Sequence, residues 1–244
     1  MQSINILALI KSSMYTAGRS EPLEVEWYGQ SAFRLTDGAS TVFIDPFDDM
    51  SLLRERGRRW EYPPIADVDA DLLLVTHEHV DHNGVAALGG GPVTLRSTAG
   101  CLSSPIGEVL AVASEHDQVA GTERGPNTLF AFTLAGRRIA HLGDLGHAAL
   151  RDEQGEALGT VDLLFVPVGG GPTIGAEQAA RVAAVLGASV IVPMHYRTER
   201  IDFLDALDPF LARAERVEFL TSSVFELEAR PVGRTPLVVV PAVP

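Results

Sequence analysis

Leu72-Leu73-Leu74-Val75-Thr76-His77-Glu78-His79-Val80-Asp81-His82-Asn83-Gly84 holds an apolar run of strand length followed at once by three imidazoles and a carboxylate within residues 77–82. An ordinary core has no use for that density of metal-binding side chains, whereas His and Asp together suit zinc and similar divalent ions. His77 and His79 stand two apart at a strand end, so both rings project to one side. Asp81 and His82 follow in the turn. The run is not the helical H-E-x-x-H motif, because its second histidine would fall at position 81, which is Asp81. A helical metalloprotease is thereby excluded.

Three more candidates lie beyond other apolar stretches. His116 follows the strand Val109–Ala113, Asp144 follows Arg138–Leu142, and His195 follows Ser189–Met194. A repeated strand with a ligand at its carboxyl end is how an open α/β sheet gathers a site along one edge. Five of the seven histidines, with two aspartates, are therefore expected to form one site.

Elsewhere, Val25–Leu35 and Ser40–Ile44 read as two strands joined by the turn Asp37-Gly38, the second stopped at Asp45-Pro46. Residues 47–66 form a polar, aromatic loop with Arg54, Arg56, Arg58 and Arg59, long enough to be a lid. Further strands are expected at Thr128–Leu134 and at Val161–Val168, the latter apolar throughout and so covered on both faces. Gly169-Gly170-Gly171-Pro172 is a tight turn, since no Lys-Ser/Thr follows to make it a phosphate loop. A helix is expected over Ala176–Leu186, and another at Asp208-Pro209, with Asp208 as N-cap and Pro209 at the first helical position. Strand-like pieces at Val217–Leu220 and Leu237–Val240 close the chain. No repeat or linker interrupts it. Strand pairs come first, then strands alternating with helices, which implies mixed sheets in one domain over 21–244, with residues 1–20 as an N-terminal extension.

Composition narrows the partners. The chain has 244 residues, 46% apolar and 21% charged, as in a globular protein. Lys+Arg is 19 against Asp+Glu 32, a formal charge of −13, which disfavours nucleic acid as a partner. A small-molecule substrate is expected, and a homo-oligomer is left open. Cys101 is the single cysteine, a small buried or loop residue, so no internal disulfide can form. Ile4–Ile10 is apolar but short, follows no basic residue and is broken by Lys11, which makes a poor signal peptide. No stretch approaches the roughly 20 apolar residues that cross a bilayer. A cytoplasmic protein, away from membranes, is the expectation.

His77-x-His79-x-Asp81-His82 followed in order by His116, Asp144 and His195 resembles the metallo-β-lactamase superfamily. More narrowly, it resembles the branch near the ascorbate-6-phosphate lactonase-like metal-dependent hydrolases. Trp27-Tyr28-Gly29-Gln30-Ser31, Phe43-Ile44-Asp45-Pro46, Arg124-Gly125-Pro126-Asn127-Thr128 and His141-Leu142-Gly143-Asp144-Leu145-Gly146-His147 support the likeness, which runs from about Val25 to Tyr196. The resemblance implies a four-layer αββα sandwich of two mixed sheets. It also implies one metal on His77, His79 and His116, a second on Asp81, His82 and His195, and Asp144 bridging the two. Gln30 departs from the pattern, since many relatives have histidine there. His79 stands where the di-iron redox branch usually has glutamate, and Asp144 is usually absent from secreted β-lactamases. Branches that process nucleic acids add a basic arm or domain, while this chain is acidic.

The implied chemistry is hydrolysis with two divalent ions, zinc first and manganese or iron as alternatives. Ions about 3.5–4 Å apart share a hydroxide that attacks a small-molecule ester, lactone, thioester or amide. Asp81 is the catalytic candidate, orienting that hydroxide, and Asp45 a candidate acceptor for a ligand ring N–H. Arg124 and Asn127 are candidates for holding an anionic or carbonyl group, His147 for a substrate contact and Tyr196 for an oxyanion. The loop arginines are a solvated face, or a lid gripping an acidic substrate. His141 is expected in the core or behind the ligands. A phosphodiesterase or nuclease on the same metals, and a metal-binding protein without turnover, are the alternatives.

Overall fold

Strand β1 (Leu23–Gly29) alternates strictly, burying Leu23, Val25 and Trp27 and turning Glu24, Glu26 and Tyr28 outward. That is the pattern of a strand with one face on the core. Arg34 of β2 (Ala32–Thr36) ties the outer face together, reaching Glu24 at 2.7 Å and Glu26 at 2.9 Å. The computed structural model describes residues 22–227 and 235–244, so the 1–20 extension lies outside the described residues.

The first sheet has the order β15-β1-β2-β3-β5-β7. It adds β3 (Thr41–Ile44), β5 (Leu72–Val75), β7 (Val93–Arg96) and β15 (Val224–Leu227). The second sheet runs β14-β16-β13-β12-β11-β10-β9-β8. Its strands are β8 (Gly100–Ser104), β9 (Gly107–Glu115), β10 (Pro126–Leu134), β11 (Arg137–His141), β12 (Leu163–Pro167), β13 (Val190–Met194), β14 (Val217–Phe219) and β16 (Leu237–Val240). Both sheets are mixed: β1, β2 and β3 form an antiparallel meander extended by parallel β5 and β7, and β9, β10 and β11 one extended by parallel β12 and β13. A small parallel pair, β4 (Val68–Asp69) with β6 (Leu88–Gly89), stands apart.

The sheets pack face to face over one core that takes Trp27, Phe33 and Leu74 from the first and Phe130, Phe132 and Phe165 from the second. Phe33 and Phe165 meet across it with ring centroids 4.4 Å apart. Helices α2 (Asp152–Leu158) and α3 (Ala176–Val185) lie against the second sheet, and α4 (Asp208–Leu211) packs on α3. The outer face of the first carries the five-residue helix α1 (Ser51–Glu55) and irregular chain, whose Phe47, Met50, Trp60 and Tyr62 pack on Phe43, Leu73 and Val75. Two mixed sheets with helices outside make the αββα sandwich.

Several expectations need correction. Val25–Leu35 is not one strand but β1 and β2, broken at Gly29 and Gln30, which both take positive φ. Residues 47–66 are no free lid: Phe47, Trp60 and Tyr62 are buried, and Trp60 bridges to Ile201. Cys101 is neither buried nor in a loop, because it lies exposed on edge strand β8. Asp208 occupies the first turn of α4 and Leu207 its N-cap, so that helix starts one residue earlier than its Asp-Pro signal indicates. Among the described residues no helix is long and apolar enough to cross a membrane.

Candidate metal centre

Strand direction assembles the site. β3, β5, β9, β11 and β13 deliver Asp45, His77, His116, Asp144 and His195 just beyond their carboxyl ends, on one edge of the sandwich. The backbone there is held in conformations that ordinary residues seldom adopt: Asp45 has φ 48° and His195 φ 51°. Such strain persists only where surrounding contacts impose it. Gly169 is required beside His195, since a Cβ there would collide with the His195 carbonyl.

The ligand candidates fall into two groups, His77, His79 and His116 in one and Asp81, His82, Asp144 and His195 in the other. Within each group the ligand atoms lie within 4.8 Å of one another. Asp144 faces both. Its carboxylate is 3.0 Å from His116 Nε2, 3.2 Å from His195 Nε2, 3.3 Å from His82 Nε2 and 4.0 Å from His77 Nε2. His77 Nε2 and His79 Nδ1 approach to 3.0 Å.

Asp45 fixes the rings from behind. One oxygen accepts the Thr76 N–H at 2.7 Å, and the other accepts the Thr76 hydroxyl at 2.6 Å and His82 Nδ1–H at 2.8 Å. With its proton committed to Asp45, Thr76 Oγ1 accepts His77 Nδ1–H at 3.0 Å. His116 donates Nδ1–H to the Pro172 carbonyl at 3.0 Å. In His77, His82 and His116 the Nε2 lone pair is thus left facing the site, the tautomer a metal ligand needs. Thr76 and Pro172 are ring-orienting partners that sequence reasoning missed. Thr76 had a signal in its place between strand and ligand run; a backbone carbonyl has none.

Electrostatics fit a cation. Burial depresses His77, His79 and His195, keeping these rings neutral. Burial also opposes charge on His82 and His116, but the surrounding carboxylates, Asp144 foremost, together outweigh it and raise both. Asp144 is itself held well below the carboxylate range: burial pushes it up, but the histidines, His195 and His82 foremost, outweigh that. His82 Nε2 and Asp144 Oδ1 are buried without a hydrogen-bond partner. Orphaned buried polar atoms are costly in a folded chain, and a divalent ion between them removes the cost. The donor set therefore fits the metals that the resemblance implies.

A cleft of about 520 Å³ opens over the ligands, lined by His79, Asp81, His116, Asp144, His195 and Arg124 among others. The other substrate candidates lie elsewhere. Asn127 is buried beneath the site: its amide donates to Ser114 Oγ and to the Leu142 carbonyl, and its Oδ1 accepts the Asp144 N–H at 3.0 Å. It positions Asp144, with no atom left for a substrate. Tyr196 is buried, its ring stacked on Trp27 at 5.8 Å, and burial drives its phenol far up. His147 donates to the Ala149 carbonyl at 2.7 Å and lies 3.6 Å from Glu115, off the cleft. His141 is no ligand: Nε2–H donates to the Ser31 carbonyl and Nδ1 accepts the Gly143 N–H. Glu78, inside the ligand run, turns away to Arg96, Ser97 and Asn83, which hold it down at about 2.

The sequence profile of the beta-lactamase superfamily domain matches residues 24–195, from β1 through the last ligand. The chain belongs to the beta-lactamase superfamily. A UPF0173 metal-dependent hydrolase of Thermus thermophilus is 31% identical over 201 residues, 72% of this chain and 84% of its own. One from Geobacillus thermodenitrificans is 28% identical over 225 residues, 79% of this chain and 96% of its own. Among solved structures, a candidate Zn-dependent hydrolase of the metallo-β-lactamase superfamily from Thermotoga maritima superposes with a TM-score of 0.72 at 31% identity. That likeness covers 90% of this chain and 100% of the other. The superfamily match thus spans every candidate ligand.

Proposed function

We propose that this superfamily member is a metal-dependent hydrolase working with two divalent ions on a small molecule. The observation that carries the proposal is Asp144: one buried carboxylate faces Nε2 atoms of both ligand groups, and among the described residues its Oδ1, 3.3 Å from His82 Nε2, makes no hydrogen bond. His77, His79 and His116 would hold one ion, and Asp81, His82 and His195 the other, with Asp144 shared. Zinc suits this His/Asp set, and the names of the related hydrolases support metal dependence. Bound there, such ions supply Lewis acidity and lower the pKa of water towards about 7.

The chain's own groups then do the positioning. Asp81 is the half-buried carboxylate of the site, 3.6 Å from His82 Nε2 and 3.9 Å from His195 Nε2, and it orients the attacking water from the cleft floor. Asp45 and Pro172 take up the Nδ1–H of His82 and His116, which leaves Nε2 as the nitrogen that faces a metal. The cleft volume suits a small molecule.

Protein reconstituted with zinc, manganese or iron and assayed on lactones, thioesters, carboxylic esters and bis-p-nitrophenyl phosphate tests the reading. Chelator-sensitive turnover of an acyl substrate is expected. Phosphodiester turnover alone would transfer the site to phosphodiesterase chemistry, and no turnover with full metal would leave a metal-binding protein.

A further inference from the structure

Among the described residues, the side chains of three arginines on the cleft have no partner. Arg56 and Arg58, beyond α1, and Arg124, beside His116, all line it. Among the described residues none of the three makes a side-chain hydrogen bond or ion pair. Scarcity of acids is not the reason, since acidic residues outnumber basic ones 32 to 19. Away from the cleft, Arg34, Arg54, Arg96, Arg151 and Arg181 each reach a carboxylate, whereas exposed Arg59 and Arg197 do not, so it is the convergence of three such arginines on one cleft that distinguishes the site. The carboxylates on the cleft, Asp81 and Asp144, face imidazole nitrogens instead.

Nor are these side chains on loose chain. Asp117 accepts the backbone N–H groups of Val119, Gly121, Glu123 and Arg124 at 2.7–3.0 Å, folding the Arg124 loop around one carboxylate. The next residue, Gly125, accepts the His116 N–H at 3.1 Å, tying that loop to a ligand. On the other element, the Arg58 N–H donates to Leu53 and the Arg59 N–H to Asp202, while Trp60 is buried between Phe47 and Phe203. Two anchored elements therefore present cations to one cleft whose remaining wall includes Met50, Leu53 and Phe203. Uncompensated cations around a concave site concentrate anions there.

We infer that the substrate carries an anionic group, carboxylate or phosphate, apart from the bond that is cleaved, and that Arg56, Arg58 and Arg124 bind that group while the metal ligands address the scissile one. Guanidinium binds either anion through paired charge-assisted hydrogen bonds, and the apolar wall takes the carbon skeleton between. The inference rests on the hydrolase reading of the same site.

Three acyl esters of matched length separate the possibilities: 4-nitrophenyl butyrate, mono-4-nitrophenyl glutarate and 4-nitrophenyl 4-phosphonobutyrate. With zinc-loaded full-length protein, kcat/KM for an anionic ester should exceed that for butyrate by about tenfold or more, and the better of the two names the anion. The advantage should shrink with added salt and approach unity in Arg56→Gln/Arg58→Gln/Arg124→Gln, while Arg181→Gln, on the far surface, keeps it. Equal rates in wild type, or an advantage that survives the triple substitution, would overturn the inference. Calorimetric titration with glutarate and with methylphosphonate reads binding without turnover. About tenfold weaker binding by the triple variant is expected, and unchanged affinity for both overturns the inference. If no ester is cleaved yet binding still depends on the arginines, the hydrolase reading fails and the anion site stands.

Discussion

The two halves of the molecule use one chain path for two purposes. The meander β1-β2-β3 with parallel β5 and β7 matches the meander β9-β10-β11 with parallel β12 and β13, and each third strand is followed by a buried aspartate, Asp45 or Asp144. Asp45 has both oxygens filled by Thr76 and His82 and stands behind the ligands. Asp144 is gripped through its backbone by Asn127, and its carboxylate is turned to the Nε2 atoms of four histidines, with no hydrogen bond on Oδ1 among the described residues. Position in the topology puts a carboxylate at the edge. Which donors already hold it decides whether it orients a candidate ligand or is left free to be one.

Substitution can break that comparison. Asp144→Asn should have the largest effect, losing metal and activity together, beyond the roughly 10–100-fold that removal of an outer partner costs. Asp45→Asn should weaken zinc by about 10–100-fold in competition with a chromophoric chelator while still permitting two ions at excess metal. Equal losses at both positions would erase the distinction. Asn127→Ala should act mainly on the fold, lowering metal-free stability in urea by about 1–3 kcal/mol, because it strands the buried Asp144 N–H. Gly143 has φ 52° and lies against Asn127 and Thr76, so Gly143→Ala should displace Asp144 and lower zinc affinity without removing any ligand.

The smallest effect should come from Asp117, which touches no ligand ring. Asp117→Ala should leave metal content intact, speed amide exchange at residues 119–124 and reduce the preference for anionic esters. Burial raises its pKa, but four backbone N–H groups win and hold it at about 2. A depressed carboxylate contributes its stabilisation fully above the unfolded pKa near 3.9 and loses it as pH falls through the folded value. Amide resonances of Gly121 and Arg124 should therefore not shift between about pH 7 and pH 4. A midpoint at the ordinary aspartate value would contradict the cage.

The clustering of the candidate ligands was legible because each lies just beyond an apolar strand, and parallel β3, β5 and β7, like β11, β12 and β13, must end on the same edge. Asp45 was legible as a ring acceptor from Asp45-Pro46 at a strand end, and the structure puts it on His82. Strands β7 and β15 were not, since edge strands half open to water carry a weak alternation that reads as loop. Helix α2 carries Gly155 and only two buried residues, so its apolar stripe is too short to stand out. Asn127 and Tyr196 were misplaced for another reason: residue type shows that a side chain can bind a substrate, not that its atoms are already engaged. The repeat of the two halves was invisible because it lies in strand order and not in residue identity.

Metal content of the purified, zinc-reconstituted wild-type chain, measured by inductively coupled plasma mass spectrometry after exhaustive dialysis, tests the central claim most directly. A site shared through Asp144 predicts about two zinc ions per chain, lost together in Asp144→Asn. One ion or fewer in the wild type, or two retained in Asp144→Asn, would contradict it.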